Sequence, residues 1–521
     1  MLTMMTSFGN EMLVVILKFV TRTVFIQTLG KAYLGINGLF ADVISMLSLA
    51  ELGVDTAITY QLYKPLAEHD DKRVRVLLKF YKQAYRVIGT VILLMGLAMI
   101  PLLPILIRDY ETLADLNINA VLVFMMFLLQ SVSSYWFFAY RSTIMIANQR
   151  KYVLDIAGYI IAVISNVAQI LVLVFLKNFI AYTATVLSFS VIANLVYALI
   201  AQRYFPQFFT KEEDRLKKEE VFSLFKDCGA VFLYNVNGVV LKATDNIVLS
   251  SFLGLPMVGL YSNYLLFYTT ITKLLGQVYR SVRASMGNLF VEADISRKFQ
   301  MFKVMNFLTV VLYGTAGVGI TVCADELIRV WVSDSYVIAE PFALLIGIEI
   351  YLWGLVNNIY QIRNVSGTFR NMWYRPLFGV VINIVVSVGL VQVCGIYGVI
   401  IGTLSTLLLT NIAMDVHVVY KYSFEGYKPE IDYYLRNGLY LLVTAGVCFA
   451  DRWICSHVYT GRGWLSVIVH ILIVSVSVPA VFLLLFCKTE SCRYLIGLFR
   501  NLLGKVKSKL RGKTKKTDGK S

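Results

Sequence analysis

Long stretches of the chain contain no charged residue, and this feature most constrains the fold. Residues 87–107 (VIGTVILLMGLAMIPLLPILI) and 467–487 (VIVHILIVSVSVPAVFLLLFC) lack Lys, Arg, Asp and Glu over about 20 positions each, the length an α-helix needs to cross a bilayer core of roughly 30 Å. Of the 521 residues, 58% are hydrophobic and 15% are charged, whereas soluble domains carry about 25% charged residues. The sequence therefore predicts a polytopic membrane protein.

Fourteen segments fit this pattern and predict an all-α fold with about 14 transmembrane helices. The segments are 5–29, 36–62, 83–107, 114–140, 153–176, 179–202, 227–253, 257–283, 301–323, 340–365, 374–393, 396–420, 436–456 and 464–487. The first segment lacks the basic region and the small-residue cleavage site of a signal peptide, so we expect it to be retained.

Lysine and arginine are distributed unevenly between the loops that join these segments. The loops after the even-numbered segments, together with the C-terminal tail, hold 38 of them, and the loops on the other side hold six. Since cytoplasmic loops carry the basic excess in membrane proteins, we expect both termini in the cytoplasm. Topology thereby explains the net charge of +16, and we expect no nucleic-acid partner.

The basic C-terminal tail has a pattern of its own. Apolar residues recur at helical spacing over 494–510, which is typical of an amphipathic helix in the membrane interface. Its lysines and arginines are expected to bind anionic lipid headgroups.

Two short phrases repeat along the chain. TLGKAYLGINGLF (28–40) returns as FLGLPMVGLYSNY (252–264), and residues 11–40 match 235–264 at seven positions without a gap. Such self-similarity indicates an internal repeat, and six segments in each half predict parallel repeats. The predicted parts are an N-lobe (1–202), a cytoplasmic linker (203–226), a C-lobe (227–420), two extra helices (436–487) and the basic tail (488–521).

Four glycines mark equivalent places in the two phrases: Gly30, Gly35, Gly254 and Gly259. One interpretation is a tight turn that needs a residue without Cβ. The other is a hinge that lets the lobes move. The sequence does not separate the two, and they are compatible.

Four basic side chains lie inside the predicted spans: Lys18, Arg22, Lys242 and Lys273. Lys18 and Lys242 are partners in the repeat, so they would lie at corresponding depths in opposing lobes. Charged groups in a membrane usually face a bundle interior or a wet cavity. We expect a central cleft that attracts a polyanion such as phosphate.

Carboxylates in the same spans leave an alternative open. Lys18 could pair with Glu51 or Asp55, and Lys242 could pair with Asp245, as structural ion pairs. The same carboxylates are candidates for coupling transport to an ion. Further isolated acids are Asp42, Glu349 and Asp415.

Other polar residues occupy the ends of spans. Arg141 and Arg363 lie at predicted cytoplasmic mouths, where the positive-inside rule alone accounts for them. Tyr261 and Asn263 follow the second glycine phrase. They are interface residues on one interpretation and sugar contacts on the other.

Motifs for bound groups are missing from the sequence. The seven cysteines include no C-x-x-C pair, and no histidine has a neighbour at metal-ligand spacing. No G-x-x-x-x-G-K-[ST] motif for nucleotide binding occurs. We expect neither a metal nor another cofactor, and no catalytic residue, so an enzyme is disfavoured.

Three stretches resemble the polysaccharide-export flippases of the multidrug/oligosaccharidyl-lipid/polysaccharide superfamily, the Wzx-type O-antigen and capsule flippases. They are RTVFIQTLGKAYLGINGLFADVISMLSLAELGVDTAITYQLYKPLAEHD (22–70), ATDNIVLSSFLGLPMVGLYSNYLL (243–266) and CGIYGVIIGT (394–403). The resemblance covers essentially the whole chain.

This resemblance implies two six-helix lobes around a central cavity, working by alternating access in the cytoplasmic membrane. The implied cargo is an undecaprenyl-diphosphate-linked oligosaccharide for capsule, O-antigen or exopolysaccharide, and polysaccharide assembly proteins are implied partners of a monomer. Basic residues of the first and seventh helices line the cavity in the family, which here carries over to Lys18, Arg22 and Lys242.

Two other functions compete with this one. A multidrug or cation antiporter of the same superfamily would need an acidic or apolar cavity, which the four cations disfavour. A membrane-embedded polysaccharide polymerase would usually carry a sizeable external loop. The longest such loop here, about 324–339, is short.

Overall fold

The residues that the computed structural model describes are helical, and no strand occurs among them. They are 2–48, 54–108, 110–113, 118–137, 139–210, 216, 220, 238–368, 371–458, 463–497 and 500. The predicted all-α fold is confirmed.

The helices follow one another with short connections. Up to residue 210 they are α1 (Leu2–Thr28), α2 (Lys31–Leu47), α3 (Val54–Ala67), α4 (Asp71–Met99), α5 (Ala120–Phe137), α6 (Ala139–Ala147), α7 (Lys151–Leu176) and α8 (Phe179–Tyr204). From residue 238 they are α9 (238–253), α10 (Leu255–Glu292), α11 (Ile295–Trp331), α12 (Phe342–Ser366), α13 (Arg375–Cys394), α14 (Ile396–Ser423), α15 (Ile431–Val458), α16 (Trp464–Phe486) and α17 (490–497). Short helical turns extend α4 to Leu106.

Each of the fourteen predicted segments overlaps one of these helices. Within the described ranges, nine helices are long and apolar enough to cross a membrane, or ten if α5 and α6 form one bent span. The chain is therefore a multi-pass membrane protein. The number of crossings and the side of the termini remain predictions.

Polar side chains set two of the helix starts. Asp70 Oδ1 accepts from the backbone N–H of Arg73 at 2.9 Å, and α4 begins at Asp71, directly after the capping residue. Asn178 Oδ1 accepts from the N–H of Ala181 at 2.9 Å, and α8 begins one residue later. Both are N-caps that satisfy a donor the helix leaves unpaired.

The described residues divide into two compact units. The first draws on Met1–Asn263 and Pro376–Thr403, and the second on Tyr264–Arg375 and Leu404–Ser521. The predicted division into an N-lobe, a linker and a C-lobe stays a prediction. Most of the linker (203–226) and most of the interfacial helix predicted over 494–510 lie outside the described residues.

The core of the first unit is formed by aromatic and aliphatic side chains. Phe40 of α2 packs edge-on against Phe124 of α5, with ring centroids 5.3 Å apart. Thr21 of α1 donates to Asn166 Oδ1 of α7 at 2.9 Å in the same unit. This hydrogen bond fixes the rotation of α1 about its own axis at the position next to Arg22.

The second unit is organised around α11. A Cβ added at Gly317 or Gly347 would lie within 2.6 Å of the other residue's carbonyl oxygen, so α11 and α12 approach closely, as small residues allow in membrane helices. On α15, Asn437 Oδ1 accepts from Asn306 Nδ2 at 2.9 Å. These contacts join α12 and α15 to α11.

The helix α14 is interrupted twice. Residues Leu407–Ile412 and Val419–Ser423 form π-helical turns, and Asp415 lies between them. Such turns often mark functional positions.

Candidate functional site

Arg22 in α1 is held by two polar side chains near the start of α10. Its Nε donates to Asn263 Oδ1 at 3.2 Å, and its Nη2 donates to the same oxygen at 2.9 Å and to Ser262 Oγ at 2.6 Å. Asn263 is completely buried. The structure thus brings together Arg22, predicted for the diphosphate, and Asn263, predicted for the sugar.

The two partners of Arg22 are neutral, so these bonds orient the guanidinium without cancelling its charge. A positioned arginine forms strong, directional bonds to phosphate and carboxylate groups. The sequence predicts a membrane span over residues 5–29, and because a cation inside such a span is expensive to keep, Arg22 is a candidate for a functional group. Arg22 therefore has the chemistry of an anion-binding group.

The three predicted lysines are exposed. Lys18 lies one helical turn before Arg22 on α1, and residues at that spacing share a face. Lys242 in α9 interacts electrostatically with Asp42 of α2. These residues belong to the first unit, whereas Lys273 in α10 belongs to the second. The predicted convergence of the four cations on one cleft stays a prediction.

Asp245 in α9 is buried among hydroxyl and amide groups of the first unit. Tyr261 donates to its Oδ2 at 3.2 Å, and Thr403 Oγ1 donates to its Oδ1 at 3.1 Å. Asn383 donates to Thr403 Oγ1 at 3.2 Å. Side chains of α10 and α14 thereby bind the carboxylate of α9, and Asn383 of α13 is hydrogen-bonded to one of them.

The structure describes the side chains of some of the remaining predicted polar residues and not of others. Tyr261 is buried against Asp245, and its predicted role in sugar contact stays a prediction. Glu51 lies outside the described residues, and the helical backbone of Asp55 is described without its side chain. The role in ion coupling that the sequence predicts for Glu51 and Asp55 stays a prediction.

Two of the four marked glycines adopt a left-handed backbone. Gly30 has φ +92° and Gly254 has φ +84°, and each directly precedes a helix start, that of α2 or α10. L-residues with a Cβ rarely adopt this conformation. The geometry is the one that the turn interpretation requires, and the hinge role stays a prediction.

The other two glycines bring α2 and α10 into backbone contact, which the sequence interpretation missed. A Cβ added at Gly35 would lie 2.0 Å from the carbonyl oxygen of Leu255, and one added at Gly259 would lie 2.3 Å from that of Lys31. The repeat offset relates Lys31 to Leu255 and Gly35 to Gly259. The contact is therefore reciprocal, and each half presents the same pair of positions.

The same offset relates a second pair of contacts. Arg22 and Ser262 are hydrogen-bonded, and their equivalents in the other half are Asn246 and Gly38. A Cβ added at Gly38 would lie 3.7 Å from Asn246 Nδ2. Residues that are equivalent in the sequence repeat therefore lie at equivalent contacts between helices.

Arg363 requires a correction. The sequence interpretation left it to the positive-inside rule, but the side chain is completely buried and ion-paired with Asp415. Its Nη2 also donates to the carbonyl oxygens of Thr368 and Asn371, at 3.0 and 2.8 Å. Arg375 Nη2 reaches the other oxygen of Asp415 at 3.2 Å.

Arg363, Asp415 and Arg375 form a buried triad at the connection between α12 and α13. Two guanidiniums share one carboxylate, and all three side chains are nearly inaccessible to solvent. The isolated Asp415 in a predicted span was the available signal, since a buried acid in a membrane needs a partner. Arg141, by contrast, is partly exposed and donates to Gln202 Oε1 at 2.8 Å.

An apolar cavity of about 470 Å³ lies in the second unit between α10, α11 and α16. Its lining includes Phe267, Ile271, Val311, Leu312, Ile471 and Val474. The wall is almost entirely hydrocarbon, which suits an aliphatic chain. In the part of the chain that the structure describes, no group of three or more His, Cys, Asp and Glu residues is arranged to hold a metal ion.

The fold is that of helical membrane transporters, including flippases and multidrug exporters. The chain is similar to the lipid II flippase MurJ in its inward closed conformation, with a TM-score of 0.61 and 13% identity over 94% of this chain and 100% of that one. It is also similar to an inward-facing multidrug resistance MATE family transporter of the MOP superfamily, with a TM-score of 0.57, 11% identity, and 78% and 94% of the two chains covered.

A third similar structure is a mutant of the MATE transporter VcmN from Vibrio cholerae, with a TM-score of 0.51 and 13% identity over 81% of this chain and 98% of that one. No protein-family model matches the sequence, and no curated protein matches it. At such low identities the likeness establishes the fold.

Proposed function

We propose that the protein is a flippase that moves an undecaprenyl-diphosphate-linked oligosaccharide from the cytoplasmic to the outer leaflet of the cytoplasmic membrane. The movement would follow alternating access and supply capsule, O-antigen or exopolysaccharide synthesis. The observation that carries the proposal is Arg22, a cation in the predicted span 5–29 that neutral partners orient, within a fold similar over almost the whole chain to a lipid II flippase.

A substrate with a charged diphosphate and an apolar polyprenyl chain would account for both the cations and the apolar cavity. Arg22 would bind the diphosphate together with Lys18, Lys242 and Lys273, whose charges complement a polyanion. The apolar cavity between α10, α11 and α16 would accommodate part of the polyprenyl chain. Tyr261 and Asn263 would lie near the sugars.

The driving force would act through a carboxylate of the first unit. Asp245 is buried and accepts from two hydroxyl groups, so binding of a proton or a hard cation would change its hydrogen bonds. Carboxylate and hydroxyl oxygens are the ligands that hard cations prefer. Glu51 and Asp55 are the further candidates for this role.

A genetic test addresses the substrate. Deleting the gene is expected to leave lipid-linked repeat units on the cytoplasmic face and to abolish surface polysaccharide, and the native gene is expected to restore it. The double variant Lys18→Ala plus Lys242→Ala should fail to restore it, whereas Lys64→Ala plus Lys151→Ala, which removes two exposed lysines outside the predicted spans, should succeed. Full restoration by the first double variant would contradict the anion-binding cleft.

A second candidate function is export of drugs or cations. It is favoured by the similarity to a multidrug resistance MATE family transporter together with the buried carboxylate of Asp245. It predicts that cells lacking the gene become sensitive to cationic drugs while their surface polysaccharide is intact. Drug resistance and polysaccharide measured on the same deletion strain separate the two functions.

A further inference from the structure

His470 of α16 and Glu326 of α11 form a pair outside the site described above. His470 Nδ1 lies 2.7 Å from Glu326 Oε2, and the two side chains are 8% and 19% exposed. Both residues belong to the second unit, and both helices are long and apolar enough to cross a membrane. The pair lies toward the ends of these helices and is largely shielded from solvent, and because buried ionisable groups are costly it is a candidate functional site.

The hydrogen bond defines what each nitrogen of the imidazole does. An ionised carboxylate only accepts hydrogen bonds, so Nδ1 carries the hydrogen that faces Glu326. Proton uptake and release then take place at Nε2. This nitrogen is buried, and no group in the described residues is hydrogen-bonded to it.

Other titratable groups face the pair from the neighbouring helices. Asp451 of α15 is buried and accepts from Ser477 Oγ of α16 at 2.5 Å. Cys323 of α11 and Cys455 of α15 interact electrostatically with both Glu326 and Asp451. The sequence of α16 contains no other ionisable residue than His470.

The arginines of these helices have other partners. Arg329 of α11 pairs with Asp334 at 2.5 Å, and Arg452 of α15 pairs with Glu340. With a neutral imidazole, Glu326 and His470 together carry one negative charge. Protonation of Nε2 converts them into a neutral imidazolium–carboxylate pair, which is less costly to bury.

The pair lies near one edge of the membrane. Glu326 is five residues from the end of α11, and His470 is six residues from the start of α16, about 7–9 Å along each helix axis. The loops at these two ends are on the side that the charge distribution predicts to be extracytoplasmic. A proton would therefore arrive from the extracytoplasmic water.

We propose that Glu326 and His470 form a proton-binding site that controls how tightly α16 packs on α11. A proton from the extracytoplasmic water binds Nε2, while Nδ1 keeps its hydrogen toward Glu326. The inference deepens the proposed function, on which it rests for its role in transport, because it adds a proton-responsive contact between a helix of the predicted C-lobe, α11, and one of the two extra helices that follow it, α16.

Hydrogen–deuterium exchange of the full-length protein in lipid nanodiscs tests the site without any substrate. After correction for intrinsic exchange, protection of α16 is expected to change at least about five-fold between pH 5 and pH 8, the lower end of ordinary coupling. In His470→Gln and in Glu326→Gln the change is expected to vanish. The side chain in Glu326→Gln still accepts the hydrogen bond from His470 but carries no charge. If the pair had only a structural role, this variant would keep the native pH response of α16.

The chain offers a matched control. His417 Nδ1 lies 2.7 Å from Glu430 Oε1, the same separation, but these side chains are 39% and 36% exposed. His417→Gln is expected to keep the native pH response of α16. The proposal is overturned if α16 exchanges equally at both pH values in the native protein, or if His470→Gln retains the response.

A second measurement separates this inference from the proposed function. Surface polysaccharide is measured as a function of external pH in cells carrying each variant, and His470→Gln is expected to lose the dependence seen with the native protein. A pH response of α16 in nanodiscs without any polysaccharide phenotype would support the proton site and contradict the flippase. A native pH dependence that His470→Gln preserves would contradict the proton site alone.

Discussion

Arg22 shows how neutral side chains position a charge inside a predicted membrane span. Its donors form a planar fork, and two of them converge on Asn263 Oδ1 while one also reaches Ser262. Lysine would keep the charge but not the fork, since its ammonium is a compact point charge. The identity of the residue, and not only its charge, therefore matters here.

Replacing Asn263 tests this arrangement. Asn263→Ala removes an acceptor that receives two bonds from a charged donor, and we expect a loss of about 1.5–3 kcal/mol in the free energy of unfolding. Thermal unfolding of the purified protein measures the loss. Gln207→Ala, at an exposed position, serves as the control, and equal melting temperatures for the two variants would contradict the contact.

The triad of Arg363, Arg375 and Asp415 leads to a larger expected effect. Asp415→Asn leaves two buried guanidiniums without their carboxylate, and breaking a buried pair costs about 3–5 kcal/mol. Asp432→Asn is the matched control, because Asp432 pairs with Arg436 at 2.9 Å on the same helix face with 45% exposure. Pairs four residues apart on a helix contribute about 0.3–0.5 kcal/mol, so a similar melting temperature for both variants would contradict the triad.

At the scale of helices, the contact between α2 and α10 is the most specific element of the first unit. No side chain separates the two backbones at Gly35 and Gly259. The repeat in the sequence predicted that these glycines are equivalent. It did not predict that they lie in one contact, because equivalence along the chain carries no information about which helices touch.

Alanine at these glycines tests the contact. Gly35→Ala and Gly259→Ala each force α2 and α10 apart, and we expect each to cost about 1–3 kcal/mol, as overpacking does. Since both changes disrupt the same contact, the double variant should lose less than the sum of the two. Gly389→Ala, where nothing lies near the added Cβ, should be neutral or stabilising.

Thermal unfolding of these four variants in one detergent supplies the comparison. Additive losses at positions 35 and 259 would mean that the two glycines act independently. The reciprocal contact would then be contradicted, even if each single variant is destabilised.

At the scale of the whole molecule, the apolar stretches of the sequence predicted where helices occur. They did not predict where a helix bends or is interrupted. Every predicted segment overlaps a helix, since backbone groups in lipid must be paired within the segment. The segment at 114–140 is instead followed by a bend, and the axes of Ala120–Trp136 and Tyr140–Ala147 differ by 54°. The π-helical turns of α14 were equally invisible, because neither proline nor a run of polar residues marks them.

The candidate site was predicted only in part, for a physical reason. Charges in apolar spans identify Arg22, Asp245 and Asp415 as residues that need partners, because unpaired charges in a membrane are costly. The partners themselves are common polar residues such as Ser262 and Thr403, which occur throughout the chain. Their selection depends on how the helices pack, which a single sequence does not specify.

The predicted topology can be checked on the intact cell. In a variant whose seven native cysteines are replaced by alanine, single cysteines placed at position 64 and at position 177 lie in or beside connections on opposite sides of the membrane, if both termini are cytoplasmic. A membrane-impermeant thiol reagent is expected to label position 177 and to spare position 64 until the cells are opened. The reverse pattern would invert the orientation, and labelling of both would contradict the span count.

The reciprocal contact between α2 and α10 also bears on how such a chain arose. An interface in which each side offers the same residues to the other is the signature of a two-fold dimer of identical subunits. The glycines at 35 and 259 are identical, whereas the equivalents Arg22 and Asn246 have diverged. A half-length protein that paired with a second copy through this glycine would, after duplication and fusion, give the contact seen here, in which the glycines agree and positions 22 and 246 differ.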